Sequence, residues 1–268
     1  MAITFSAVYT AGTGTDATSF VTPNITSLSA GDVVIMGIIN TKAATPDAPT
    51  ITANGLTWLE LGTGQEYATS RRMSIWLGYA GTPVIGAGLA DYGIATQTGF
   101  VAHALVFSGT VNTNVSAINI VTGSESAQTT HDAITLAAFS DAANATVSFW
   151  ALGNNTGVFT EGAGFTAAAQ TGLSTEGCRL FSQYQLANDT TPTATTSTSQ
   201  SSVGKAFELV ADAATGQPTA RRFGLSSIGR SGVAIGKARM ERSGTIFALG
   251  APVGFERRKS GLYVRKAA

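Results

Sequence analysis

Gly31-Asp32-Val33-Val34-Ile35-Met36-Gly37-Ile38-Ile39 is the stretch whose reading decides the fold. A turn-forming Gly-Asp pair is followed by an unbroken apolar run over 33–39. A strand with one wet face alternates apolar and polar residues. A continuous Val/Ile-rich run predicts a central strand covered on both faces. Such a strand needs neighbours on either side, and the flanking sequence supplies candidates. Upstream, 2–9 alternates, with Ile3, Phe5 and Ala7 on one face and Thr4, Ser6 and Val8 on the other. Residues 11–19 read as a Gly/Thr loop. Downstream, Pro46 and Pro49 mark a loop, and Asn54-Gly55 is a strong turn signal ahead of a strand over 56–61. The next strand, 73–79, places Ile75 and Trp76 on opposite faces. An apolar strand over 101–107 then ends at Ser108-Gly109.

The pattern continues beyond a polar stretch at 110–132. Strands are expected over 133–139 and 145–152, then a long Gly/Ala/Thr-rich loop with short strands over 153–174. Residues 178–186 alternate, with Leu180, Ser182, Tyr184 and Leu186 opposite Arg179, Phe181, Gln183 and Gln185. The nearly all-Thr/Ser stretch 190–202 reads as strand or loop. Residues 205–211 place Phe207, Leu209 and Ala211 on one face. No helical pattern of roughly 12 or more residues stands out, though 133–139 reads as either helix or strand. About nine or ten short strands at this spacing predict an all-β two-sheet sandwich or barrel.

Composition agrees. Charged residues are 12% of the 268, against roughly a quarter in ordinary globular chains. The 44% apolar content, arranged in runs, excludes a disordered chain. Cys178 is the single cysteine, so an intrachain disulfide is excluded; it is expected to be a small packing residue. The opening Met1-Ala2-Ile3-Thr4-Phe5 lacks the basic-then-apolar pattern of a secretory leader. No apolar run approaches the roughly 20 residues of a membrane helix. Synthesis in the cytoplasm, with no membrane partner, is expected.

The formal net charge of zero conceals a division. Residues 1–213 hold five basic and fourteen acidic residues, a net of −9, whereas 214–268 hold eleven basic and two acidic ones, a net of +9. Such a split predicts two parts with different surroundings: a β-sandwich domain over 1–213 and a basic attachment or oligomerisation segment over 214–268. Residues 213–220 read as a linker. Beyond it, Arg230-Ser231-Gly232, Arg242-Ser243-Gly244 and Lys259-Ser260-Gly261 each precede an apolar stretch. They predict short β-ribbons with cationic turns. The partner-binding candidates are Arg221, Arg222, Arg230, Lys237, Arg239, Arg242, Arg257, Arg258, Lys259, Arg265 and Lys266. Phe223, Leu225, Ile228, Ile235, Ile246, Phe247, Phe255 and Tyr263 are interleaved among them. That interleaving favours a folded protein–protein contact over nucleic acid, whose binding arms are poor in apolar residues.

Several elements in order carry a resemblance. They are Ala30-Gly31-Asp32-Val33-Val34, Gly55-Leu56-Thr57-Trp58 in a hairpin, Ser74-Ile75-Trp76-Leu77-Gly78-Tyr79-Ala80 and Ala104-Leu105-Val106-Phe107-Ser108-Gly109. Over its first 110 residues the chain resembles a jelly-roll-type sandwich domain of tailed-phage virion proteins. The resemblance fades over 110–175 and returns at Lys205-Ala206-Phe207-Glu208-Leu209. It implies a jelly-roll-like fold, a virion location and a structural role in head decoration or in a tail or fibre. It also implies partnership with other virion proteins and with sister copies, a trimer being the expected oligomer. It carries no catalytic residues, and the basic segment lies outside it.

The search for chemistry is consistent with a non-enzyme. His103 lies in an apolar strand, and His131-Asp132 are adjacent, so their side chains diverge and make a poor dyad. Two separate histidines and one cysteine cannot assemble an ordinary zinc set. No nucleophile elbow and no phosphate-binding loop occurs. No catalytic residue, cofactor or metal is expected. Two competing readings have nameable residues. A glycoside hydrolase needs two carboxylates from Glu60, Glu66, Asp91 and Glu125, and a calcium site would draw on Asp32, Asp47 and Asp91. The alternative function is a lectin-like carbohydrate or receptor-binding module, with Trp58, Trp76, Tyr79 and Trp150 lining its face; core packing is the plainer use of those rings.

Overall fold

The computed structural model describes residues 2–110, 120–131, 134–139, 141–212, 238–240, 246–248, 255–257 and 263–265. Side chains are described up to residue 212, apart from 120–131 and Gln200. The chain divides into two compact units, Met1–Gly216 and Gln217–Ala268.

The first unit is all-β among the described residues. Its first half contains β1 (Thr4–Thr13), β2 (Ser19–Val21), β3 (Val33–Thr41), β4 (Thr50–Thr52), β5 (Leu56–Glu60), β6 (Gln65–Tyr67), β7 (Arg71–Gly81), β8 (Leu89–Asp91) and β9 (Gly99–Ser108). Six of these form one antiparallel sheet in the order β1-β9-β3-β7-β5, with β6 also on β7. The three short strands form a second small sheet, β2-β8-β4. The second half contains β10 (Ile120–His131), β11 (Ala145–Leu152), β12 (Phe159–Glu161), β13 (Thr166–Leu173), β14 (Cys178–Gln185) and β15 (Ala194–Leu209). These build another antiparallel sheet, β10-β15-β11-β14-β13, with β12 on the start of β15. Each large sheet therefore draws its strands from one half of the chain.

The two large sheets face each other across the main core. Val33, Ile35, Ile39, Met73, Ile75, Leu77, Val101, Leu105 and Phe107 of the first sheet meet Val147, Phe149, Cys178, Leu180, Val203, Phe207 and Leu209 of the second. Alternate residues of the first sheet turn outward. Val34, Met36, Ile38, Trp76, Phe100 and Val106 are covered by Phe20, Ile51 and Ala90 of the small sheet. Every residue of β3 is therefore buried, as its unbroken apolar run predicts. The outer face of the second sheet is covered too, where Trp150, Leu152, Phe181 and Ala206 pack with Ile134, Leu136 and Phe159. Each fully buried aliphatic or aromatic side chain contributes roughly 1.5–3 kcal/mol relative to exposure. Long apolar runs are affordable here because four layers leave few large faces wet.

Three expectations need correction. Residues 134–139 form no strand; Ile134 and Leu136 instead donate their backbone N–H groups to the carbonyls of Pro192 and Thr190, and both side chains plug the outer core. The 153–174 stretch is half strand, since besides the short β12 it holds β13, which spans eight of its residues as an edge strand of small, half-buried side chains. Asn54-Gly55 makes the expected turn, with φ of 57° and 63°, but it carries the chain from β4 in the small sheet to β5 in the large one rather than closing a hairpin. In the second unit β16 (Ala238–Met240) pairs with β17 (Ile246–Ala248), and β18 (Phe255–Arg257) with β19 (Tyr263–Arg265), each antiparallel.

Candidate functional site

The basic segment is the candidate attachment site. Of its eleven cations, Arg239, Arg257 and Arg265 fall on described strands. Arg221, Arg222, Arg230, Lys237, Arg242, Arg258, Lys259 and Lys266 lie outside the described residues. The ladder registers set Arg239 opposite Phe247, Arg257 opposite Tyr263 and Arg265 opposite Phe255. Each described cation thus has an aromatic residue as its ladder partner. The units Arg242-Ser243-Gly244 and Lys259-Ser260-Gly261 fall, in sequence, between the paired strands and outside the described residues.

Besides the Cys178 thiol, His103 and Lys205 are fully buried ionisable groups where the large sheets meet. His103, on β9, reaches across to the second sheet: Nδ1 lies 3.0 Å from Ser182 Oγ and Nε2 2.9 Å from Thr171 Oγ1. Burial pushes its imidazole down to about 3, so the ring is neutral at ordinary pH. No carboxylate orients it, and the ring has no solvent-exposed surface. A nucleophilic Ser-His pair needs both an orienting partner and access, so this arrangement is a neutral packing contact. Lys205, on β15, reaches the other way and donates from Nζ to the Thr63 carbonyl at 2.7 Å. Burial pushes its ammonium down to about 8, against the favourable field of Glu60. Sequence reasoning took Lys205 only as the start of a strand. Its one warning was a lone cation among Val203, Gly204, Ala206 and Phe207.

The other candidates are engaged locally. Lys42 donates to Asp47 at 2.6 Å and Gln97 to the same carboxylate at 2.9 Å; these hydrogen bonds hold Asp47 below the usual carboxylate range. Glu60 is ion-paired with Arg72 at 3.0 Å, and Asp32 accepts from the Ser29 N–H. Asp91 caps a turn at the Gly93 N–H. Among the described residues no three His, Cys, Asp or Glu side chains converge as metal ligands, and Asp32, Asp47 and Asp91 sit in three separate contacts. The side chain of Glu125 and residue Asp132 lie outside the described residues. Burial pushes the Cys178 thiol up to about 11, which makes it a packing residue and not a nucleophile.

The aromatic residues are packed. Trp76 and Trp150 are 8% and 1% exposed, and each indole donates to a serine two residues earlier on its own strand. Trp58 is half-buried and donates to the Ala53 carbonyl. A feature that sequence reasoning missed is the outward row of the small sheet, where Val21 pairs in register with Leu89 and both are exposed, at 62% and 48%.

Comparison with protein-family models, with curated proteins and with solved structures returns no match.

Proposed function

We propose that the protein is a non-enzymatic structural subunit of a tailed-phage virion, an auxiliary capsid decoration or tail-associated component held in place through residues 214–268. The observation that carries this reading is the division of charge, −9 over the sandwich and +9 over the short segment that follows it. A domain in which no three His, Cys, Asp or Glu side chains converge among the described residues, joined to a cationic segment with apolar residues interleaved among its charges, suits a part that is held in place. The same division lets the basic segment of one copy meet the acidic sandwich of a sister copy, so self-assembly and attachment draw on one interaction.

The test is deletion of 214–268 in a phage that encodes the protein, followed by composition analysis of purified particles. The sandwich should accumulate as a soluble, folded protein and be missing from particles. Incorporation of the truncated sandwich at the normal level would overturn the proposal.

A further inference from the structure

The two large sheets share more than a face. Counting the strands on each main path in chain order, both sheets run first, last, second, fourth, third. The connections match as well. In the first half the short strands β2, β8 and β4 lie between first and second, fourth and last, and second and third strands, and they cover the sheet's outer face. In the second half the outer face is covered by residues from the same three connections. Ile134 and Leu136 bond to Pro192 and Thr190, and β12 pairs with residues 194–196.

The registers fix which residues correspond. On β3, Gly37 pairs with His103 on one side and Ile75 on the other. On β11, Phe149 pairs with Lys205 and Ser182. Setting Gly37 against Phe149 therefore sets His103 against Lys205, the two buried ionisable groups that reach across the interface in opposite directions. The same setting matches Arg72 with Arg179, Thr10 with Thr122, Val101 with Val203 and Ala104 with Ala206. An independent marker agrees. The turn before β3 bonds the Asp32 N–H to the Ser29 carbonyl, and the turn before β11 bonds the Asn144 N–H to the Asp141 carbonyl, five residues ahead of Gly37 and of Phe149 respectively.

A two-fold axis makes equivalent positions meet each other, and two such meetings occur. A Cβ placed on Gly37 would lie 2.2 Å from the ring of Phe149, so that ring rests directly on its own equivalent position. At the strand ends, Thr110 forms a bridge with Ala211, and the Asp212 N–H donates to the Gly109 carbonyl at 2.8 Å. Gly109 corresponds to Ala211 and Thr110 to Asp212, so this contact is reciprocal.

We infer that residues 2–212 are two copies of one sheet module of about a hundred residues, joined through 111–119 and packed about an approximate two-fold axis. The inner face of each module is thus a docking surface whose partner is another module of the same kind. The sandwich is then a pair of like modules carried on one chain, alike in strand order and register and in few residue identities.

The test exchanges the residues that meet on the axis, in the full-length protein. Gly37→Phe alone drives a second ring into Phe149. Phe149→Gly alone empties the space above Gly37. The double exchange G37F/F149G moves the ring from one side of the axis to the other. The expected result is a double variant with a higher thermal midpoint than both single variants. A double variant that does not exceed both overturns the inference. If none of the three folds, a second full-length chain decides. It carries the modules in reverse order, 120–212, then 111–119, then 2–110, then 213–268. The two-fold arrangement brings the end of the second module to the start of the first as it brings the end of the first to the start of the second. Val8 corresponds to Ile120, so residues 111–119 with 2–7 span that gap with length to spare, and cooperative unfolding of the rearranged chain is expected. Failure of that chain to fold overturns the inference.

Discussion

A buried lysine with one carbonyl partner is a cost the fold tolerates. The folded state holds the Lys205 proton less tightly than the unfolded chain, because burial lowers the group to about 8 from an ordinary 10.5. Folding is therefore opposed below pH 8 and relieved as pH rises from about 8 toward 10.5. Lys205→Met keeps the length of the side chain and removes the charge; Thr63 is exposed, so its freed carbonyl turns to water. The variant should be more stable at pH 7 by on the order of 2–3 kcal/mol, and its stability should rise less between pH 8 and 10. Urea unfolding at pH 7 and pH 10 checks both; a destabilised variant at pH 7 would refute the argument. His103 works at the acid end. Its folded value of about 3 lies below the ordinary 6.5, so the unfolded chain gains the proton first as pH falls. Stability should drop by about 1.4 kcal/mol per pH unit from this group between roughly pH 6 and 4. His103→Gln should flatten that limb in parallel urea titrations; an unchanged slope would show that other groups set it.

At the scale of elements, the turn at Asn54-Gly55 joins two sheets and is sterically specified. Gly55 has φ of 63°, and a Cβ there would lie 2.2 Å from the Thr82 carbonyl oxygen. Gly55→Ala should therefore cost about 1–3 kcal/mol, read as a lowered thermal midpoint. A neutral substitution would mean the backbone relaxes freely at the junction. The elements legible in the sequence were those whose burial leaves a periodic mark. β3 is covered on both faces and reads as a continuous apolar run, while β7 and β14 show their two faces by alternation. β13 escaped because an edge strand of Ala, Thr and Gly leaves no hydrophobic signal. Residues 134–139 misled in the opposite sense. Ile134 and Leu136 are spaced like strand residues, and they do share a buried face, but they serve as a cover bonded to residues 190–192. Period two reports a face, not a place in a large sheet. His103 and Lys205 could be named from sequence, but their roles depend on which half each side chain enters, and only the topology supplies that.

For the whole molecule, the proposed attachment makes charge the factor that decides how copies meet. A sandwich at −9 repels another sandwich, and a segment at +9 repels its own kind, so the favourable encounter brings the segment of one copy to the sandwich of the next. The sequence made this division visible because charge needs no fold to be counted; the two-fold layout of the sandwich stayed hidden because it lives in strand order. Screening separates the electrostatic part of such an encounter from the apolar part. The Debye length falls from about 10 Å at 0.1 M salt to about 3 Å at 1 M, so contacts between exposed opposite charges weaken while burial of Phe and Tyr side chains does not. Full-length protein should therefore self-associate in low salt, with affinity falling on the order of tenfold from about 0.05 to 0.5 M and a residual association persisting above that. Protein ending at Gly216 keeps the first compact unit and loses the cationic partner, so it should sediment as a monomer at every salt concentration. Sedimentation velocity on both chains across the salt series distinguishes the cases. Equal association of the truncated chain would place the contact on the sandwich itself, and association of the full chain that ignores salt would remove charge as its cause.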